Sequence, residues 1–248
     1  SLRTNWTVRV TLNPGKSYLE EDIRMFNPVD AMNPYYFWNC TAFPQLPGTR
    51  FIYPMRLGTD HYGIRFFNWP VNQGVDLSWT KNYRKAASIF AVNAAYDFFG
   101  AYETSLDRGV VQVANHNEHS GKKAWTWGQG EYGRVSQLSL TDSDGNYIEV
   151  QCGPLPTQSD YGMFAPGNSI SWKEYWYPVH GLGDGFEFAN ETAAFQTKFS
   201  GDSLELRIIA TERMNDAEYS IASGNNTLYS GRADLSPLAA FKAKVFTG

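Results

Sequence analysis

Apolar and polar residues alternate with a period of two along most of this chain, and that confines it to β structure. Trp6, Val8, Val10 and Leu12 share one side of a segment while Thr7, Arg9 and Thr11 take the other. Successive side chains of a strand point to opposite faces, whereas a helix would scatter this pattern around its circumference. Asn13-Pro14-Gly15 supplies a turn, and Leu19, Ile23 and Met25 resume the alternation. Further β-prone segments are predicted over 35–38, 50–53, 64–69, 88–92, 98–102, 110–114, 123–127 and 147–152. In the last of these Ile148, Val150 and Cys152 face one way and Tyr147, Glu149 and Gln151 the other. Strands are also predicted over 195–199, 204–210, 219–222 and 241–246, where a final strand is favoured over a helix at 236–244. One short helical turn is predicted at Arg134 to Leu138. So many short strands in one chain predict an all-β, large antiparallel β-sandwich. No repeat, low-complexity tract or linker divides it, so residues 1–248 are read as a single domain.

Charge then narrows the partners. The net charge of −4 and the lack of any Lys/Arg cluster argue against nucleic acid, which needs a basic footprint. No apolar run approaches the ~18 residues of a membrane-spanning helix, so membrane insertion is not expected. The opening residues are not a signal peptide and run straight into a strand, which suggests a trimmed or mature chain. No feature fixes the compartment, and a periplasmic or secreted setting is the expectation. The two cysteines, Cys40 and Cys152, are each expected as a small buried thiol, not as a bridge.

The informative anomaly is the aromatic fraction of 16%, with 8 Trp and 15 Tyr. Tyr and Trp pair an apolar face with a polar tip and suit half-exposed sites. They are densest between Trp125 and His180, interleaved with carboxylates and amides. A pyranose offers an apolar C–H face for stacking and a rim of hydroxyls for hydrogen bonding, so this mixture points to carbohydrate. Glu149 and Glu174 are the candidate acid–base carboxylates, with His116 as a candidate proton donor. Trp125, Trp127, Gln151, Gln158, Trp176 and His180 are the candidate sugar contacts. Each has a plainer alternative: a solvated outer face for Glu149, a salt-bridged strand residue in Glu174, an exposed loop imidazole in His116. His116 and His119 have ligand-like spacing but no third ligand in a familiar pattern, so neither a metal nor any cofactor is expected. Asp142-Ser143-Asp144-Gly145-Asn146 lacks the distal bidentate Glu of a calcium loop and reads as a polar turn.

The order Trp125-Thr126-Trp127-Gly128, Leu140-Thr141-Asp142-Ser143-Asp144-Gly145, Tyr147-Ile148-Glu149-Val150-Gln151 and Glu174-Tyr175-Trp176-Tyr177-Pro178 resembles an uncharacterised bacterial family. That family is often joined to tetratricopeptide repeats and belongs with the galactose-mutarotase-like supersandwich proteins. Asp97-Phe98-Phe99-Gly100-Ala101-Tyr102 and Gly121-Lys122-Lys123 fit the same pattern. The resemblance spans most of residues 6–185. It implies a twisted supersandwich with a concave sugar-binding face, and an N-terminal part missing from this chain. Relatives include aldose epimerases, lyases and the β domains of glycoside hydrolases. In the epimerases a His and a Glu exchange protons with the sugar, and His116 with Glu149 or Glu174 are analogues by residue type.

Three classes of function follow: a sugar epimerase or glycoside-cleaving enzyme, a non-catalytic carbohydrate-binding module, and a structural or partner-binding β domain. The first two require Trp127, Glu149, Gln151, Glu174 and Trp176 to converge on one concave face, with His116 or His180 at its edge.

Overall fold

The structure, a computed structural model, describes residues 3–142 and 144–246. Its strands begin with β1 (Asn5–Leu12), β2 (Leu19–Phe26), β3 (Asn33–Tyr35), β4 (Asn39–Pro44) and β5 (Thr49–Ile52). Short strands follow: β6 (Leu57–Thr59), β7 (Phe66–Asn68), β8 (Val71–Asn72) and β9 (Val75–Asp76). The middle of the chain forms β10 (Ala87–Ala91), β11 (Phe98–Glu103), β12 (Arg108–Val113) and β13 (Gly121–Thr126). Helix α1 (Glu131–Leu140) precedes β14 (Tyr147–Gly153), β15 (Gly162–Phe164) and the long β16 (Ser169–His180). The rest comprises β17 (Phe188–Ala189), β18 (Ala193–Ser200), β19 (Ser203–Ala210), β20 (Met214–Ser223), β21 (Asn226–Leu235) and β22 (Phe241–Phe246).

Two six-stranded antiparallel sheets form the sandwich. The first has the order β1-β2-β16-β12-β11-β5 and the second β4-β14-β13-β10-β6-β7. Alternation decides which residues meet between them. Phe99 and Ala101 from β11 pack against Ile89, Ala124, Ile148, Val150 and Cys152 of the second sheet, with Phe51 and Trp176 completing the layer. Burying each large apolar side chain contributes about 1.5–3 kcal/mol, so this layer dominates the cohesion of the two sheets. The opposite face of the first sheet is covered in turn. Phe98, Tyr102, Val111, Val113, Tyr177 and Val179 pack on Ala194 and Ile209 of a four-stranded sheet, β17-β18-β19-β22. A third apolar cluster, Ile23, Met25, Phe164 and Trp172, closes the end near β1.

The 147–152 segment is the inner strand its alternation predicts, with Ile148, Val150 and Cys152 fully buried. Other expectations need correction. The aromatic run at 35–38 is no strand beyond Tyr35, because Tyr36, Phe37 and Trp38 carry the chain across from β3 to β4. Trp38 lies directly over Gly121 and Gly153, where a Cβ on either residue would approach its ring to within 3.0 Å. Paired glycines therefore let this ring close over the end of β13 and β14. The helical turn expected at Arg134 to Leu138 extends through the whole of α1, ordered at its end by Gln137, whose Oε1 accepts the Tyr147 N–H. Within 236–244 only the part from Phe241 onward is strand, in β22, which pairs with β19; residues 236–240 are neither helix nor strand. Of the polar turn at 142–146, Ser143 lies outside the described residues; Thr141 Oγ1 donates to the Asp144 carbonyl beside it. Both cysteines are free, yet only Cys152 is buried; Cys40 is exposed on the outward side of β4. Among the described residues no helix is long and apolar enough to cross a membrane.

Candidate functional site

Strand β14 separates two groups of polar side chains, because its odd and even positions face opposite ways. On the outer face of the second sheet, Trp125 stands directly opposite Glu149, and Lys123 opposite Gln151. Trp127 and Tyr147 continue the same face, with Trp125 and Trp127 in edge contact at 5.1 Å and Trp127 and Tyr147 at 6.3 Å. These three rings and Glu149 are half-buried, leaving part of each open to solvent.

Behind Glu149 runs a hydrogen-bonded relay. Lys123 Nζ donates to Gln158 Oε1 at 2.7 Å and to Gln151 Oε1 at 3.1 Å. Gln158 Nε2 donates to Gln151 Oε1 at 2.6 Å, and Gln151 Nε2 donates to Glu149 Oε2. An ammonium thus sits at one end and a carboxylate at the other. Lys123 and Gln151 are only 3% exposed. Burial pushes the Lys123 ammonium down to about 8, against the opposing pull of Glu149. The Trp125 ring, 4.9 Å from Nζ, and Phe90, at 5.6 Å, form the walls around it. Gln158 is brought over the sheet by its loop, tied down where Tyr36 Oη donates to the Gln158 carbonyl.

Next to Gln158, Thr157 lines a cavity of about 580 Å³, together with Tyr62, Asn93, His116, Asn117 and Asp160. His116 is oriented by Asp97: its Nδ1 lies 2.7 Å and its backbone N–H 2.9 Å from Asp97 Oδ1. Burial acts to raise the Asp97 pKa, but those two hydrogen bonds outweigh it and hold the carboxyl below its usual range. With Nδ1 engaged, Nε2 is the nitrogen left for a ligand.

The second group lies inside, between the two large sheets. Glu174, on β16, is fully buried. Trp172 and Trp176, two residues to either side of it, share its strand face. Their indole N–H groups donate to its two oxygens at 2.8 and 3.0 Å. Asn39 Nδ2 donates at 2.8 Å and Cys152 Sγ at 3.0 Å, both to Oε2. His119, also fully buried, brings Nε2 to 3.2 Å from Oε1, and burial pushes its imidazole down to about 3, so the ring is neutral. Lys122, adjacent to Cys152 across the β13–β14 pair, is buried beside them. Glu21 is raised by burial and by the Glu174 charge.

The single convergent surface expected from the sequence is therefore two surfaces. Trp125, Trp127, Glu149, Gln151 and Gln158 come together outside the second sheet. Glu174 and Trp176 are inside and have no access to a solvent-borne ligand. His116 joins the cavity next to the Gln158 loop. His180 is elsewhere, at the far end of β16, where Nε2 lies 3.2 Å from the Pro237 carbonyl. His116 and His119 do not form a pair, since one faces Asp97 at the surface and the other the interior. Sequence reasoning passed over Lys123, Asp97 and Asn39. The signal for Lys123 was present: in Gly121-Lys122-Lys123-Ala124-Trp125, neighbouring lysines on a buried strand must occupy both faces.

This architecture is that of the galactose-mutarotase-like β-sandwiches. Similar structures include a TPR-domain containing protein from Parabacteroides distasonis ATCC 8503, at TM-score 0.63 and 26% identity, covering 71% of this chain and 30% of that one. Putative aldose 1-epimerases from Escherichia coli K12 and Klebsiella pneumoniae subsp. pneumoniae share the fold. Their TM-scores are 0.53 and 0.50, with 8% and 11% identity over 73% and 72% of this chain. This chain spans 62% and 47% of those two. Within this fold the chain belongs to a particular family, described as a domain of unknown function (DUF5107), whose profile matches residues 1–179.

Proposed function

We propose that this chain is a carbohydrate-binding domain whose sugar site is the outer face of the β13–β14 pair. The observation that carries the reading is the direct opposition of Trp125 and Glu149 on adjacent strands. A half-exposed indole offers a stacking surface for the C–H face of a pyranose, and a carboxylate at its edge accepts hydrogen bonds from ring hydroxyls. Trp127 and Tyr147 extend the platform, and the Gln151–Gln158–Lys123 relay holds Glu149 in place from behind. The likeness to putative aldose 1-epimerases supports a carbohydrate setting at the level of fold, and one fold serves many functions.

A second reading, a sugar-active enzyme, is favoured by the Asp97–His116 pair on the adjoining cavity. An imidazole oriented by a carboxylate is the usual arrangement of a general base. Epimerisation would use it to exchange a proton with a sugar hydroxyl, with Glu149 as the second group.

A glycan-array screen with the whole chain tests the first reading, paired with polarimetry of aldose interconversion and a reducing-sugar release assay. Retention of a glycan that is weakened by Trp125→Ala supports the binding site. Turnover abolished by His116→Ala supports the enzyme. Absence of both binding and turnover across the array overturns the carbohydrate reading and leaves a structural or partner-binding domain.

A further inference from the structure

We propose that His119, Cys152 and Glu174 form a buried binding site for a single zinc-class divalent ion that clips the two large sheets together. One ligand atom from each residue lies within 4.8 Å of the other two, and all three residues are fully buried. Zinc bonds to N, O and S ligands at about 2.0–2.3 Å, which separates neighbouring ligand atoms by about 3–4 Å in a tetrahedral shell. The 3.2 Å from His119 Nε2 to Glu174 Oε1 and the 3.0 Å from Cys152 Sγ to Glu174 Oε2 fall at the tight end of that spacing.

The independent observation is His119. Neither of its ring nitrogens has a hydrogen-bond partner, although the residue is fully buried. A buried polar atom left unpaired costs about 1–3 kcal/mol, so an imidazole aimed at a carboxylate and a thiol without bonding either is a costly arrangement. Coordination through Nε2 removes the cost at that atom. Sulfur with imidazole selects zinc or cobalt over calcium or magnesium, which take oxygen ligands. Binding breaks the Cys152 S–H bond and forms a sulfur–metal bond, and the proton leaves to solvent. The thiolate and the Glu174 carboxylate then balance the two positive charges of the ion. Lys122, paired with Cys152 across the two strands, is also buried here. Its Nζ has no hydrogen-bond partner and feels Cys152, Asp97 and Glu174, so its charge adds to that of the ion at this site.

The residues come from three places: Cys152 from the second sheet, Glu174 from the first and His119 from the β12–β13 connection. With no exposed ligand the ion enters during folding. The proposal stands independently of the sugar site.

The whole chain is unfolded in denaturant with a chelator, freed of both, and refolded with Co(II). One cobalt per chain is expected, with a thiolate-to-cobalt charge-transfer band that zinc displaces. Cys152→Ser and His119→Gln should each lose the band, and Cys40→Ser should keep it. X-ray absorption of the wild-type zinc form should show one sulfur at about 2.3 Å with N/O ligands at about 2.0–2.2 Å. This second measurement decides the matter even where a variant fails to refold. Sub-stoichiometric uptake, a band that survives Cys152→Ser, or a zinc shell without sulfur overturns the proposal.

Discussion

Cys152 Sγ lies 3.0 Å from Glu174 Oε2 and joins the two large sheets from inside, while Glu149, three residues earlier on the same strand, faces outward. Two carboxylates from one aromatic-rich region therefore have opposite environments. Removing the Glu174 side chain strands two indole N–H groups and a thiol in the core, and leaves the Asn39 amide with Glu21 as its remaining acceptor. Glu174→Ala should lower the unfolding free energy by about 3–5 kcal/mol, the cost typical of breaking a buried charged network. Glu149→Gln should change it by less than about 1 kcal/mol, since the outer carboxylate is partly solvated. Denaturant unfolding of the full chain measures both. Equal costs would show that the inner and outer assignments are wrong.

The sandwich was legible because alternation records which residues a sheet must bury. Ile148, Val150 and Cys152 face inward as their spacing demands. The same rule, applied to Trp172-Lys173-Glu174-Tyr175-Trp176, places Glu174 on the face of both tryptophans, and so already marks it as buried with indole donors. What the spacing cannot say is which sheet a strand joins. Glu149 and Glu174 are 25 positions apart and separate only when β14 enters the second sheet and β16 the first. The pairings of Lys123 and Asp97 were hidden for a related reason, since their partners, Gln158 and His116, are supplied by loops.

The thiols give a chemical test of the same geometry. Cys40 is exposed and Cys152 buried, so a disulfide reagent should modify one thiol in the native chain and the second only on unfolding. Partial burial and the Glu149 charge both hold the Cys40 thiol above its usual range. Its reaction should therefore quicken as pH rises through and beyond 9, and Glu149→Gln should speed it at a fixed pH. Two fast thiols in the folded protein would contradict the placement of Cys152.

Lys123 should leave a signature in stability against pH. Its pKa falls from 10.5 in the unfolded chain to about 8 in the folded one. Between those values the unfolded chain binds more protons, so unfolding free energy rises with pH across that window. The full effect is on the order of 3 kcal/mol, since each pKa unit corresponds to about 1.36 kcal/mol. Lys123→Met should remove this rise. A comparison of melting temperatures for the two proteins between pH 8 and 10.5 checks it, and parallel curves would refute a buried ammonium.

Binding and catalysis make different demands on the outer face, and single substitutions separate them. Trp125 supplies area for stacking, and an aromatic contact of this kind contributes about 0.5–1.5 kcal/mol beyond its burial. Trp125→Ala should weaken glycan binding about ten-fold or more, as read by calorimetry, with Trp127→Ala weaker in effect because its ring lies farther from Glu149 along the strand. If the chain only binds on the Trp125–Glu149 platform, His116→Ala leaves affinity unchanged, because the imidazole lines the adjoining cavity and not that platform. If it is an enzyme, His116→Ala should abolish turnover while affinity for the same glycan persists. Asp97→Asn should then lower turnover with little change in KM, since it disturbs the imidazole without touching the sugar. Trp176→Ala serves as the internal control, because that ring is buried between the sheets. It should lower the melting temperature, and any effect on affinity should follow from that loss alone. A Trp176→Ala protein that stays fully folded but no longer binds would place the sugar site inside the sandwich and overturn the outer-face assignment.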